Sequence, residues 1–173
     1  KDWLLVEVGG PTGTIVAFDK RTGKEVWRSK ATVVAGHAGG MALMNVEDVP
    51  CVAAMTFAGL LVVRLDDRNA GKIVAAYPWV TNFANNIASP AVQDDCVLIT
   101  SEYNHAAMCK LKITLKGPVE LWKKPYASKT CTPVIHENRI YVAWNRLRCL
   151  DWETGKLVWE GPVVGDAGSC VVT

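Results

Sequence analysis

No apolar run in this sequence comes near the roughly 20 residues that a helix needs to cross a bilayer. The two most hydrophobic stretches, Leu4 to Val8 and Val52 to Leu65, are each broken by charged, glycine or polar residues. Charge of one sign is missing too: 19 Lys and Arg face 17 Asp and Glu, for a net charge of +2. The basic residues alternate with acidic ones instead of forming a stripe, which argues against nucleic acid as a partner. Cysteine pairs are absent. Cys51, Cys96, Cys109, Cys131, Cys149 and Cys170 lie far apart, with no Cys-x-x-Cys and no adjacent pair. Disulfide frameworks belong to much shorter secreted chains, so these read as buried thiols acting as small hydrophobes. Helical periodicity is nearly absent, which predicts an all-β protein. The start, Lys1-Asp2-Trp3, has neither an initiator methionine nor the pattern of a signal peptide. The sequence is expected to be part of something longer.

What is present is a repeat. Ala17-Phe18-Asp19-Lys20-Arg21-Thr22-Gly23-Lys24-Glu25-Val26-Trp27 matches Cys149-Leu150-Asp151-Trp152-Glu153-Thr154-Gly155-Lys156-Leu157-Val158-Trp159 without a gap at Asp, Thr-Gly-Lys and Trp. Two weaker copies lie between them, around Leu65-Asp66 with Gly71, and around Leu111-Lys112 with Gly117. The aligned Phe18, Leu65, Leu111 and Leu150 are 47, 46 and 39 residues apart, the spacing of propeller blades built from four-stranded sheets. A second pattern precedes each copy: Ser89-Pro90 or Thr132-Pro133, a short strand, a polar turn and a β-branched strand.

The motif has a mechanism. Asp19 closes a strand where its carboxylate can accept bonds from backbone N–H groups of the turn and from Thr22. Gly23 supplies the positive φ that the turn needs. Val26 and Trp27 then face opposite sides of the next strand. A Trp wedged between adjacent sheets buries a large area, so Trp27 and Trp159 are expected to be largely buried between blades.

Ala17, Gly23 and Trp27 stand at positions one, seven and eleven of a pattern that resembles the tryptophan-docking motif of the PQQ-like (pyrroloquinoline-quinone repeat) β-propeller family. Tyr77-Pro78-Trp79 through Asn86 to Ser89-Pro90 further resembles the PQQ-like repeat proteins of bacterial cell envelopes, relatives of the outer-membrane assembly-factor lipoprotein. The resemblance implies a propeller segment of about four four-stranded blades within a ring of about eight. It also implies a periplasmic or cell-envelope location. The whole of 1–173 is then one repeat domain. It comprises a blade remainder at 1–30, blades at about 37–79, 87–124 and 130–161, and the first strand of a further blade at 167–173. Remaining blades or a second copy would complete the ring. Departures from the pattern are Ala75 in place of the docking Trp, Lys112 in place of the turn Asp, and Cys149 in place of the small Ala.

For function, the resemblance implies two alternatives. One is a non-catalytic scaffold whose rim loops bind a protein or a small molecule. The other is part of a quinoprotein dehydrogenase holding PQQ and Ca²⁺. The adjacent cysteines expected over the quinone are missing, and Asp19, Asp66 and Asp151 are accounted for by turns. No catalytic residue, no metal site and no cofactor are therefore assigned to this segment. The loops at the channel rim carry His37, Asn85, Asn86, Ser128, Lys129, Thr130 and Asp166, of which His37, Asn86 and Lys129 are the rim candidates. His37, His105 and His136 have no second ligand at metal-binding spacing. Gly36 to Gly40 lacks the Lys-Ser/Thr and helix of a phosphate loop.

Overall fold

A computed structural model describes residues 2–37, 39–166 and 168–173; Lys1, Ala38 of the Gly36–Gly40 loop and Ala167 at the head of the last predicted strand lie outside it. Fourteen strand elements form four antiparallel sheets in chain order. The first sheet holds β1 (Trp3–Gly10), β2 (Gly13–Asp19) and β3 (Glu25–Arg28), with β1 at its edge. The second holds β4 (Met41–Val46), β5 (Val49–Thr56), β6 (Gly59–Arg64) and β7 (Ile73–Pro78). The third holds β8 (Ala91–Gln93), β9 (Cys96–Ser101), β10 (Ala107–Thr114) and β11 (Gly117–Lys124). The fourth holds β12 (Val134–His136), β13 (Arg139–Asp151) and β14 (Leu157–Gly165).

β13 is a hairpin in itself. Thirteen residues in a straight strand would span about 40 Å, yet the Arg139 guanidinium lies 2.8 Å from the Asp151 carboxylate and Trp152 N–H donates to the Asn138 carbonyl at 3.0 Å. The fold-back falls at Asn145, whose φ is +57°. The fourth sheet therefore has four strands side by side, as the second and third do.

Three hydrophobic clusters hold the sheets in an arc, one at each junction between consecutive sheets. The period of two in a strand explains how one sheet serves two junctions. In β5, Val52 and Ala54 join Ile15 of the first sheet, while Ala53 and Met55 join Val97 and Ile99 of the third. In β9, Val97 and Ile99 face the second sheet, and Leu98 packs with Ile140 and Leu150 of the fourth. Near-continuous apolar runs such as Leu60–Val63 are the sequence mark of a sheet buried on both faces.

The repeat turns are as expected. Asp19 Oδ1 accepts from Arg21 N (3.0 Å), Thr22 N (2.8 Å) and Thr22 Oγ1 (2.9 Å). Asp151 Oδ1 accepts from Thr154 N and Oγ1 at 2.9 and 2.7 Å. Gly23 and Gly155 have φ of +69° and +64°.

The docking tryptophans follow a rule that involves the next sheet. A Cβ added at Gly71 would meet the Trp27 ring at 3.1 Å, and one added at Gly155 would meet the Trp122 ring at 2.9 Å. Each indole thus lies over the turn glycine of the following blade, where only a missing side chain leaves room. Trp122 is buried and its Nε1–H donates to the Trp152 carbonyl at 3.2 Å. Trp27 is half-buried, edge-on to Trp3 at 5.7 Å.

Trp159 departs from expectation: it is 42% exposed. Its ring packs beside Tyr141 on the free face of the fourth sheet, where no turn glycine is placed against it. At the second junction Ala75 stands in for the docking Trp, and the gap is filled by Trp79 and Tyr77, whose hydroxyl donates to the Glu120 carboxylate of the third sheet.

One lysine is fully buried. Lys110 takes the inward position on β10 with 2% exposure. Its Nζ donates to the Trp152 carbonyl at 3.1 Å and to Glu153 Oε2 at 3.2 Å, and lies 4.0 Å from the Trp152 ring centre. Every donor direction of a buried ammonium needs such a partner. All six cysteines are free, and burial pushes the thiols of Cys51 and Cys96 up to about 11 and that of Cys109 up to about 12.

Candidate functional site

The loops that pass from the last strand of one sheet to the first of the next, 29–40, 79–90 and 125–133, share one edge of the arc with the turns at 57–58 and 102–106. Hydrogen bonds join them into a continuous rim. Phe57 N donates to the Val34 carbonyl at 2.9 Å, Trp79 N to Ala58 at 2.9 Å and His37 N to Ala84 at 3.0 Å. Asn82 N donates to Asn104 Oδ1 at 2.7 Å, and the His105 ring donates from Nε2 to the Val80 carbonyl at 2.8 Å.

The predicted rim residues have different fates. His37 is exposed, with Nδ1 3.2 Å from Asn85 Oδ1. Asn86 is fully buried; its amide donates to the carbonyls of Thr56 and Trp79, both at 2.8 Å, and ties the loop to the second sheet. Ser128 is buried in the same way, its N–H donating to Thr100 Oγ1 at 2.8 Å. Lys129 is half-buried, with Nζ 5.2 Å from the Tyr103 ring and 5.6 Å from the Trp144 ring. His37 with Asn85 and Lys129 with Tyr103 are therefore separate groups on one rim, while Asn86 and Ser128 build the wall beneath them.

Sequence reasoning missed the most exposed feature. Phe83 is 84% exposed and sits in the single 3-10 turn Asn82–Ala84 with φ of +56°, followed by Ala84 at +57°. Two successive non-glycine residues in the left-handed region cost of order 1 kcal/mol or more each and are held in place by their surroundings. Here the holding contacts are the His37–Ala84 and Asn82–Asn104 bonds. Val34, Phe57 and Val80, at 59, 39 and 52% exposure, extend the apolar surface along the same rim. The only available signal was a lone aromatic among turn-forming asparagines, Asn82, Asn85 and Asn86.

Beneath this patch Trp79 is buried, with His105 stacked on it at 4.0 Å and 16°, and Lys123 Nζ 4.7 Å from its ring centre. Burial, with a smaller push from Lys123, holds the His105 imidazole below its usual value despite the bond to Val80. Neutral His105 as an Nε2–H donor fits that geometry.

PQQ with Ca²⁺ does not fit the described residues. Asp66 is gripped by the Arg64 guanidinium at 2.6 and 2.9 Å and by Asn69 at 2.8 Å. Asp19 and Asp151 serve their own turns, and no three His, Cys, Asp or Glu side chains among the described residues are grouped to hold a metal ion.

Sheets docked in sequence through tryptophan on glycine, with an apolar loop rim, define a β-propeller of the PQQ-like repeat class. The chain belongs to the family described as outer membrane protein assembly factor BamB, whose pattern matches residues 8–161. Among solved structures it is similar to BamB from Moraxella catarrhalis, at 15% identity and a TM-score of 0.61, covering 93% of this chain and 46% of that one. It is also similar to the β-propeller domain of Cps50 (Swd1) from Myceliophteria thermophila, at 13% identity and a TM-score of 0.66, covering 98% and 54%. A third is the computationally designed Ika8 protein, at 10% identity and a TM-score of 0.52, covering 100% and 63%. These likenesses concern the fold alone, and the chain spans about half the length of the first two. No curated protein matches the sequence. Among the described residues no helix is long and apolar enough to cross a membrane.

Proposed function

We propose that this chain is a non-catalytic PQQ-like propeller segment that works as a protein-interaction scaffold in the bacterial cell envelope, with the loop rim around Phe83 as its contact surface. The observation that carries the reading is the strained presentation of Phe83 to solvent beside Val80, Val34 and Phe57. An aromatic anchor on a rigid loop, ringed by polar side chains such as His37, Asn85 and Lys129, has the make-up of an interface hot spot. Membership of the family described as an outer membrane assembly factor supports the envelope setting. The engaged Asp19, Asp66 and Asp151 support a role without quinone chemistry.

A photoreactive amino acid at position 83 tests this, with position 24 on the opposite edge as control, in a bacterial host that exports the chain. Discrete protein adducts are expected at 83 and not at 24, and Phe83→Asp should abolish co-purification of the same protein. Equal adducts at both positions, or none at 83, would overturn the proposal.

A further inference from the structure

The two ends of the arc are complementary in three separate respects. First, Trp159 projects from the fourth sheet with 42% exposure, and Gly23, the turn glycine of the first sheet, has nothing within 4 Å of an added Cβ. These are the unmatched knob and socket of the rule that pairs Trp27 with Gly71 and Trp122 with Gly155. Second, β1 is the edge of a three-stranded sheet, whereas the other sheets carry a short first strand beside the strand equivalent to β1. Next to that edge lies an apolar groove of about 540 Å³, lined by Trp3, Leu5, Met41, Leu43 and Val52 among others. At the other junctions a first strand fills the corresponding space, with Met44 and Val46 at one and Ala91 at the next.

Third, residues 168–173 lie where a first strand begins. The loop leading into the third sheet anchors on the second strand of the second sheet (Asn86 to Thr56, 2.8 Å). The loop into the fourth anchors likewise on the third (Ser128 to Thr100, 2.8 Å). Gly168 continues the series by lying against Ala143 of the fourth sheet, where an added Cβ would be 2.7 Å from the carbonyl oxygen, and Cys170 Sγ is 3.6 Å from the Tyr141 carbonyl. Ser169-Cys170-Val171-Val172 then aligns with Ser89-Pro90-Ala91-Val92 and Thr132-Pro133-Val134-Ile135. Exposure alternates as a strand's would, 37% at Val172 against 82% at Val171. Val171 holds the position of Ala91, the residue that packs toward the following sheet.

We propose that a second copy of this chain docks on these faces, so that residues 168–173 of each copy pair with β1 of the other, Val171 enters the partner's groove, Trp159 covers the partner's Gly23, and two arcs close into one ring. One placement of the partner satisfies the knob, the strand edge and the groove together. A four-stranded face is about 19 Å by 18 Å. Two such junctions bury on the order of 1,400 Å², within the range of stable protein interfaces. The free face of the first sheet is apolar, with Leu4 at 55% and Val26 at 46% exposure. This chain covers 46 and 54% of two solved chains of the same fold, so a second copy supplies about the missing length. The arrangement continues the sheet-to-sheet interface already present inside the chain, and it goes beyond the rim reading because it uses the end faces and not the loops.

Sedimentation equilibrium of the 173-residue chain, up to about 100 µM, tests the proposal. The wild type should weigh twice 18.8 kDa. Trp159→Ser and Val171→Asp, both at exposed sites and so expected to leave each arc folded by circular dichroism, should each weaken association by about tenfold or more. The double variant should be monomeric. A wild type that stays monomeric, an open ladder of masses, or a dimer that neither substitution weakens would overturn it.

Discussion

The Trp122 indole lies over Gly155 of the following sheet so closely that a Cβ on that glycine would stand 2.9 Å from the ring, while Trp122 Nε1–H donates to the Trp152 carbonyl at 3.2 Å. One side chain thereby fixes both the spacing and the register of two sheets. Trp122→Ala should cost about 3 to 5 kcal/mol, because the cavity is enclosed on both sides. Trp159→Ala, measured on the dissociated chain at low concentration, should cost less than about 1 kcal/mol, as an exposed site does. Urea denaturation of the two variants checks the contrast.

The turn glycines provide a matched pair. Gly23→Ala meets nothing within 4 Å and suffers only from its φ of +69°, a cost of about 1 kcal/mol. Gly155→Ala has a similar backbone cost and must also displace the Trp122 ring and Lys124 Cγ, at 2.9 and 2.8 Å. Its loss of stability should be clearly the larger. Equal losses in thermal melts would show that the ring is not seated on the glycine.

Lys110 separates stem from charge. Lys110→Ala removes a buried aliphatic stem and should cost about 2 to 4 kcal/mol, while Lys110→Met keeps most of the packing and should cost less than half of that. A Met variant as unstable as the Ala variant would place the stabilisation in the ammonium and its bonds to Trp152 and Glu153.

Glu7 makes stability depend on pH. Burial raises its carboxyl from 4.5 to about 7, against a weaker opposing bond from Gly36 N–H. The native state therefore holds this proton more tightly than the unfolded chain. Stability from this group is fully present below about pH 4.5 and is lost as pH rises through about 7. Asp19, Asp66 and Asp151 act in the opposite sense, since turn bonds or Arg64 hold their carboxyls below the usual range and their contribution is lost on acidification. Glu7→Gln should flatten the decline toward neutral pH, by roughly 1 to 2 kcal/mol after allowance for partial exposure. Urea midpoints at pH 5.5 and 8 check the sign.

PQQ with Ca²⁺ should give no saturable micromolar binding and no alcohol-dependent reduction of an artificial acceptor. Titration followed by quinone absorbance, with the acceptor assay alongside, is the measurement. Coupled binding and turnover would promote a quinoprotein role.

Local chemistry made much of this protein legible without coordinates. Asp19, Thr22 and Gly23 define a turn through bonds a few residues long, and their recurrence at Asp151, Thr154 and Gly155 sets the blade spacing and with it the propeller. The two-sided apolar runs of β5, β6 and β9 likewise show sheets covered on both faces. What the sequence could not determine was which partner each side chain would meet. Trp27 and Trp159 occupy the same position in the motif, yet only Trp27 has a glycine of another sheet placed under it. Asn86 and His37 look alike as polar loop residues, but burial against Thr56 and Trp79 makes one a wall and leaves the other on the rim. Lys110 alternates into a junction that surrounds it, and Phe83 is lifted into solvent by contacts from His37 and Asn104, residues 46 and 21 positions away. Turns follow from short-range bonds encoded in consecutive residues. Burial follows from the packing of sheets distant in sequence, and only the tertiary structure decides it.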